Sequence, residues 1–369
     1  MLKFHSLRIA ELQPDADDAV AISLDVPADL RSEYVGLPGQ HVVLRTQLDG
    51  TEARRTYSLT NVPGEWPLRI VARVHEHGRM SRHLGRQVGI GDQIDVLPPN
   101  GSLTPRSAQR PGRARTFVGF AAGCGIAPLL SIVKTTLQAD PGSRFILFYG
   151  NSNTERVMCL EELLGLKDRF IDRLALHFVM SREPQEVDLY NGRIDAPRVR
   201  ELAGLLFKAD QVAEFFVCGP GDMIDQVTGV LRDLDVAADR IHSEHFKDEG
   251  AAAPAKADLA PAAGPANAGT APAASADACQ VTVLMDGRSR TFTMKTDELV
   301  LDAATAAGLE LPFSCRAGVC STCRTKVVSG KVEMDQNYAL EDWELEQGYV
   351  LACQSRCKTP TLELDYDEK

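Results

Sequence analysis

Pro312-Phe-Ser-Cys315-Arg-Ala-Gly-Val-Cys320-Ser-Thr-Cys323 is the stretch around which this 369-residue chain is organised. Three thiols spaced by four and then two residues lie on one tight loop, and Cys353 follows after twenty-nine intervening residues. Four thiolates in a Cys-x4-Cys-x2-Cys…Cys spacing wrap a 2Fe-2S cluster. Ala317, Gly318 and Ser321 are small enough for the backbone to close over the cluster and aim N–H groups at its sulfides, which stabilises the negative charge of the reduced form. The competing arrangement is a zinc knot, which pairs two short Cys-x2-Cys or Cys/His hooks. Only one such hook is present, and no histidine follows His245. The spacing therefore assigns Cys315, Cys320, Cys323 and Cys353 to iron.

Working outward from this loop, residues 249–278 are almost only Ala, Pro and Gly with a few polar residues. Such a run cannot bury enough apolar surface to fold, so it reads as a partly stiffened linker that lets a cluster domain, 279–369, move. Residues 1–110 carry short apolar alternations broken by turn residues, as in Ala19–Val26, Gln40–Arg45 and Leu68–Val74, and predict an antiparallel β-barrel. Over 111–248 apolar strands such as Arg115–Phe120, Phe145–Tyr149, Leu174–Val179 and Glu214–Cys218 alternate with helical stretches, which predicts a doubly wound parallel sheet of the α/β class.

Composition excludes several classes of function. The net charge of −11 leaves no basic patch that could neutralise phosphates against the surplus carboxylates, so nucleic acid is not expected as a partner. No apolar run is long enough for a membrane span, and the N-terminal residues lack the pattern of a signal peptide. The odd count of nine cysteines does not indicate a disulfide framework. A cytoplasmic location is expected, with every cysteine reduced or bound to iron.

Two clusters of motifs lie in the first two domains. Arg55-Thr-Tyr57-Ser58 ends a predicted barrel strand: an arginine grips a pyrophosphate, a tyrosine lies against an aromatic ring, and a serine bonds the ring's polar edge, a set that suits a flavin. Gly78-Arg-Met80-Ser81 opens a helical run whose free N–H groups face a phosphate, with Ser81 as the expected cap. Gly123-Cys-Gly125-Ile126-Ala-Pro128 joins a strand to a helix, where glycines let a dinucleotide approach the backbone. Cys218-Gly219-Pro-Gly places a small side chain at the carboxyl edge of the sheet, where ligands bind in such folds. Met180-Ser181-Arg182-Glu183 follows another strand. There an arginine selects the 2′-phosphate of NADPH and an acid a ribose, so NADPH is expected as donor, with NADH the alternative.

In this order and spacing these motifs resemble the ferredoxin–NADP reductase superfamily, with a plant-type ferredoxin appended, and most closely the reductase subunits of phenylacetyl-CoA epoxidases and their relatives. The resemblance covers all but the linker and implies a β-grasp (α+β) fold for the last domain. It also implies FAD rather than FMN. Arg55, Tyr57 and Ser58 would be flavin contacts, and Gly78, Met80 and Ser81 would surround its pyrophosphate. Gly123, Gly125, Ile126 and Pro128 would hold the nucleotide, with Ser181, Arg182 and Gly219. Cys218 would lie beside the nicotinamide, and Glu244 and Phe246 would close over the flavin ring. Ser58, Cys218 and Glu244 are thereby the catalytic candidates. Two positions depart from the family pattern: Cys124 stands where relatives have Thr or Ser, and Cys357, four residues beyond Cys353, is an alternative fourth ligand.

The implied reaction is a relay in which hydride passes from the nucleotide to the flavin and single electrons leave through the cluster. The implied partner is the di-iron oxygenase component of a multicomponent monooxygenase acting on an acyl-CoA. A Rieske or other hydroxylase, or a hybrid-cluster protein, is the alternative client, and a redox-sensing iron-sulfur protein the alternative class. From residue 279 onward there are 15 Asp/Glu against 10 Lys/Arg. Glu333, Asp335, Glu341, Asp342, Glu344 and Glu346 crowd the segment before Cys353 and, with the loop Arg316–Val319, are expected to form an acidic docking rim.

Overall fold

The computed structural model describes residues 3–106, 114–245, 278–340 and 342–368. The chain divides into two compact units, Lys3–Glu249 and Gly250–Lys369. The linker expected at 249–278 lies, but for its last residue, outside the described residues. No helix among the described residues is long and apolar enough to cross a membrane.

In the first unit, β1 (His5–Pro14), β2 (Ala19–Asp25), β3 (His41–Leu48), β4 (Thr51–Ser58), β5 (Leu68–Arg73) and β6 (Gln93–Val96) make one antiparallel sheet in the order β4-β3-β6-β1-β2-β5. Leu7 and Ile9, Ile22 and Leu24, and Val42 and Leu44 each stand two residues apart and enter one core with Ile70 and Val96, as the period of a strand requires. The two edge strands meet where Leu59 bridges Ile70 and the Thr60 N–H donates to Arg69 O at 2.9 Å, so the sheet curls into the expected barrel. The short helix α1 (Arg31–Tyr34) buries Tyr34, whose hydroxyl donates to Val96 O at 2.8 Å. Helix α2 (Arg79–Arg86) turns Met80 and Leu84, one turn apart, into the same core. Its N-cap is Gly78, which corrects the expectation for Ser81. A capping side chain must precede the first turn, whereas Ser81 lies inside it and its Oγ accepts the His75 N–H at 3.2 Å.

The same unit holds five parallel strands: β7 (Thr116–Ala122), β8 (Arg144–Asn151), β9 (Leu174–Met180), β10 (Val212–Gly219) and β11 (Ile241–His245), in the order β11-β10-β7-β8-β9. Helices α3 (Ile126–Ala139) and α4 (Leu160–Arg169) cover one face, and α5 (Ala196–Leu205) and α6 (Gly221–Asp233) cover the other. Alternation along β7 shows why: Phe117 joins the α3/α4 core and Val118 the α5/α6 core. The strand order reverses between β7 and β10, and both of those strands end in glycine turns. That reversal opens the crevice at the carboxyl edge.

A polar seam joins the barrel to this sheet. Lys134 of α3 is buried, its Nζ donates to Thr60 O at 2.7 Å, and it pairs with Glu162 of α4, which also takes Arg69 of β5. Ser131 Oγ donates to Asn61 O at 2.5 Å. Lys134→Met should lower the unfolding free energy of the first unit by about 1–3 kcal/mol, because it leaves the Thr60 carbonyl and a half-buried carboxylate short of a partner. Denaturant titration followed by Trp66 fluorescence measures this, and an unchanged midpoint would remove the seam from the account of stability.

The second unit contains β12 (Ala278–Met285), β13 (Arg288–Lys295), α7 (Val300–Ala306), β14 (Arg324–Ser329), β15 (Val332–Met334), α8 (Asp342–Glu346), β16 (Tyr349–Leu351), β17 (Ser355–Cys357) and β18 (Thr361–Asp365). Its main sheet runs β13-β12-β18-β14-β16, with β12 and β18 parallel at the centre, and β15 pairs β17 in a small second sheet. Helix α7 lies across β13 and β17, which gives the expected grasp of a helix by a mixed sheet. Asp286 and Gly287, both at positive φ, make the tight β12–β13 hairpin turn.

Candidate functional site

The cysteine loop is held in a shape that few backbones adopt. Arg316, Gly318 and Ser321 all have φ between 45° and 73°, the left-handed region. At Gly318 a Cβ would stand 3.0 Å from Gln336 O, and the Gly318 carbonyl accepts Tyr338 N–H at 2.9 Å, so segment 336–338 clamps the loop. Backbone N–H groups turn toward cysteine sulfur: Cys315 N–H lies 3.4 Å from Cys320 Sγ, and Ala317 N–H 3.3 Å from Cys315 Sγ. Cys353 arrives from the turn between β16 and β17. Contacts with the sulfurs of Cys320 and Cys353 hold the Cys315 thiol far below its usual range, while contacts with Cys315 and burial push Cys320 and Cys353 up. Four cysteine sulfurs are thus brought together, the donor set that an iron-sulfur cluster needs.

Two further donors at this site were not assigned from sequence. Gln354 Nε2 reaches Cys353 Sγ at 3.5 Å, and the buried Ser314 Oγ has no partner among the described residues. Each adjoins a ligand in sequence, and adjacency was the only available signal.

Cys357 is corrected on two counts: it is not a reserve ligand, and it is not a reduced thiol. It forms a disulfide with Cys279, with Cα atoms 6.5 Å apart. The Gln280 N–H donates to Pro360 O at 2.9 Å and Gln280 pairs with Thr361, so the start of β12 lies beside the chain just past β17. Two cysteines 78 residues apart meet through that parallel pairing.

The acidic rim is corrected as well. Glu344 is fully buried against Arg324, Asp335 pairs with Arg356 at 2.7 Å, and Glu333, though exposed, pairs with Lys358 at 2.5 Å. Glu346 is exposed, while Glu341 and the Asp342 side chain lie outside the described residues. The carboxylate of Glu344 is buried on α8, where it needs the cation that Arg324 supplies.

In the first unit the structure brings the barrel and sheet motifs to one place. Arg55, Tyr57 and Ser58 end β4, and α2, with Gly78, Met80 and Ser81 in its first turn, packs against β4 and β5. Ser58 lies opposite His41 across the β3–β4 ladder. His41, which the sequence did not single out, is 1% exposed and its Nδ1 donates to Glu244 Oε1 of β11 at 3.2 Å. Glu244 in turn is the register partner of Cys218. Ser58 Oγ, His41 Nε2 and Glu244 Oε2 are all buried without a partner among the described residues. Three orphaned polar atoms around one crevice match the polar edge of a flavin ring. Burial and the Glu244 charge push the Cys218 thiol well up, so it is neutral.

The glycine turns let the ends of β7 and β10 pack too closely for any side chain between them. A Cβ on Gly125 would stand 2.0 Å from Cys218 O, and one on Gly219 would stand 2.7 Å from Met223 Cε. Gly123 has φ 53°. Ile126 and Pro128 are buried within α3, so the backbone of that turn and the half-buried Cys124 remain to meet a ligand. Ser181 and Arg182 are exposed beyond the end of β9, on the same carboxyl edge. The Glu183 carboxylate accepts the N–H and hydroxyl of Thr154 at 2.6 and 2.7 Å, which hold it below the usual carboxylate range. Phe246 lies outside the described residues.

Replacing Cys315, Cys320, Cys323 or Cys353 with Ser should abolish the visible absorption of the cluster and leave the flavin bound. Cys357→Ser should keep that absorption and lower the stability of the oxidised chain by about 2–4 kcal/mol, a difference that vanishes in reductant. Bleaching by Cys357→Ser and not by Cys353→Ser would reverse the ligand assignment.

Three family models match in chain order: an oxidoreductase FAD-binding domain over residues 16–104, an oxidoreductase NAD-binding domain over 120–229, and a 2Fe-2S iron-sulfur cluster binding domain over 283–358. A subunit of 1,2-phenylacetyl-CoA epoxidase from Escherichia coli (strain K12) is 37% identical, over 100% of this chain and 99% of its own. The ferredoxin reductase component of 3-ketosteroid-9-alpha-monooxygenase from Rhodococcus rhodochrous is 30% identical, over 98% and 96%. The fold is shared with phthalate dioxygenase reductase, at a TM-score of 0.59 and 22% identity over 98% of both chains. With an FAD-binding barrel, an NAD-binding sheet and a 2Fe-2S domain in one polypeptide, and full-length likeness to two such components, the chain belongs to the ferredoxin–NADP reductase superfamily, as an NAD(P)H-dependent flavin and 2Fe-2S reductase component of an oxygenase system.

Proposed function

We propose that the chain oxidises NADPH and passes electrons singly to the di-iron oxygenase component of a phenylacetyl-CoA epoxidase. The observation that supports this client is the 37% identity to a phenylacetyl-CoA epoxidase subunit, which extends through every domain. The bound flavin supplies the conversion between a two-electron donor and a one-electron cluster. The residues of the chain supply binding, orientation and the path of the proton. Gly123 and Gly125 let the nucleotide lie against backbone, and Gly219 keeps the opposite lip low. The neutral Cys218 thiol fills the crevice floor without a charge that would repel or attract hydride. Ser58 Oγ presents a hydroxyl to the flavin's polar edge. A proton released there has His41 across the ladder, and Glu244 beyond it, as acceptors already hydrogen-bonded to each other.

Nucleotide choice rests on Arg182. Thr154 occupies both oxygens of the neighbouring Glu183, which removes the acid that would otherwise serve a ribose. Arg182 is left to meet a 2′-phosphate. Arg182→Ala should cut kcat/KM for NADPH by roughly 10- to 100-fold, the scale of a hydrogen bond to a charged group, and leave NADH unchanged. A higher kcat/KM for NADH that ignores this substitution would overturn the preference.

The client is tested by reconstitution. NADPH-driven oxygenation of phenylacetyl-CoA should require the chain and the purified epoxidase oxygenase, with ketosteroid monooxygenase oxygenase as control. Glu333, Asp335 and Glu344 are paired within the chain, so neutralising them should change the salt dependence of turnover little. NADPH-dependent cytochrome c reduction without any epoxidation would retain the reductase and exclude this client, and negligible reduction of either acceptor would indicate a redox sensor.

A further inference from the structure

The last strand of the second unit carries a phenol into the cluster core. Along β18, Leu362 and Leu364 are 1% and 0% exposed while Thr361 and Glu363 are exposed. The two-residue period continues one step past the strand, so Tyr366 turns inward as well. Its backbone is fixed on both sides: the Tyr366 N–H donates to Leu284 O at 2.9 Å, and Thr325 Oγ1 donates to Asp365 O at 2.9 Å. Lys326 pairs with Asp365 in the β14–β18 ladder, which sets Tyr366 beside the first residues of β14, and Cys323 immediately precedes that strand. The Ala352 N–H donates to Cys323 O at 3.1 Å and brings Cys353 to the same place. Tyr366, half-buried, accordingly packs against the apolar core that holds Cys323 and Cys353.

The phenol oxygen is buried and has no hydrogen-bond partner among the described residues. An unsatisfied buried hydroxyl costs stability, and phenylalanine would fill the same space without that cost. The described residues therefore leave the O–H of this buried phenol unused as a donor. Hydrogen bonds to cluster sulfur are the means by which a protein raises the potential of such a centre.

We propose that Tyr366 is a positioning residue for electron transfer, whose O–H turns to the sulfur face formed with Cys323 and Cys353 when the cluster is bound and favours its reduced form. The inference rests on the assignment of those two cysteines as ligands. Tyr366→Phe should therefore lower the equilibrium constant for cluster reduction about tenfold, which is 59 mV for a one-electron couple. The measurement is an EPR-monitored redox titration of the full-length holoprotein, with flavin absorption as internal reference. The cluster's visible spectrum is recorded first: its absence from wild type would refute the ligand assignment itself, separately from the role of Tyr366. Denaturation of the cluster-free chain provides the second readout, in which Tyr366→Phe should be as stable as wild type or more so. A midpoint potential that does not move while the cluster is intact would overturn the proposal and leave Tyr366 as a core residue only. If the Phe variant loads no cluster, Tyr366→Trp, which keeps an N–H donor on a buried ring, decides. A wild-type midpoint supports the proposal, and a tenfold loss overturns it.

Discussion

The contact on which the first unit depends is the buried pair between His41 Nδ1 and Glu244 Oε1, 3.2 Å apart. One partner belongs to a barrel strand and the other to the edge of the parallel sheet. Removing either from water costs several kcal/mol unless the other is in place, so the two sheets are tied in one relative position. Each residue still leaves one polar atom unpaired, and both open atoms lie in the crevice that Ser58 and Cys218 also border. The pair is therefore both a tether between the sheets and a preorganised wall of the site. The Lys134–Glu162–Arg69 seam repeats the tether at a second point and so resists rotation about the first.

Cysteine does three kinds of work in this chain, separated by environment. Cys218 is sealed beneath a glycine turn and next to a carboxylate, which keeps it a neutral thiol. Cys279 and Cys357 are crosslinked where two strands run parallel. Of the four remaining cysteines of the second unit, three lie on a loop with three residues in the left-handed region, two of them not glycine, and Cys353 joins them from the β16–β17 turn. Such backbone is costly and persists only where its surroundings over-determine it. Here the clamp at Gly318 and the packing of segment 336–338 do so.

Three ion pairs frame the cluster loop in the second unit. Arg324 with Glu344, Arg356 with Asp335, and Lys358 with Glu333 join the segments that frame the cluster loop. These pairs hold β14, β15 and β17 to their neighbours. Arg316, exposed on the loop itself, is stacked on Phe313 and bonded to Asp302 at 2.9 Å.

Several features were legible in the residues. Period-two runs announced the barrel, apolar strands alternating with helices announced the parallel sheet, and the Cys-x4-Cys-x2-Cys hook announced the cluster, because each rests on local spacing. The glycines at 123, 125 and 219 were legible for the same reason: a turn that backbone must pass closely leaves its mark on neighbouring positions. His41, the Cys279–Cys357 crosslink, the burial of Glu344 and the inward turn of Tyr366 were not. Each depends on a residue far away in the chain, 203 positions for His41 and Glu244 and 78 for the disulfide. Local spacing determined which elements form and which thiols share a loop. Strand pairing and packing alone decided which distant side chains meet in the dry interior, because a buried charge or thiol takes its state from neighbours that only the folded chain supplies.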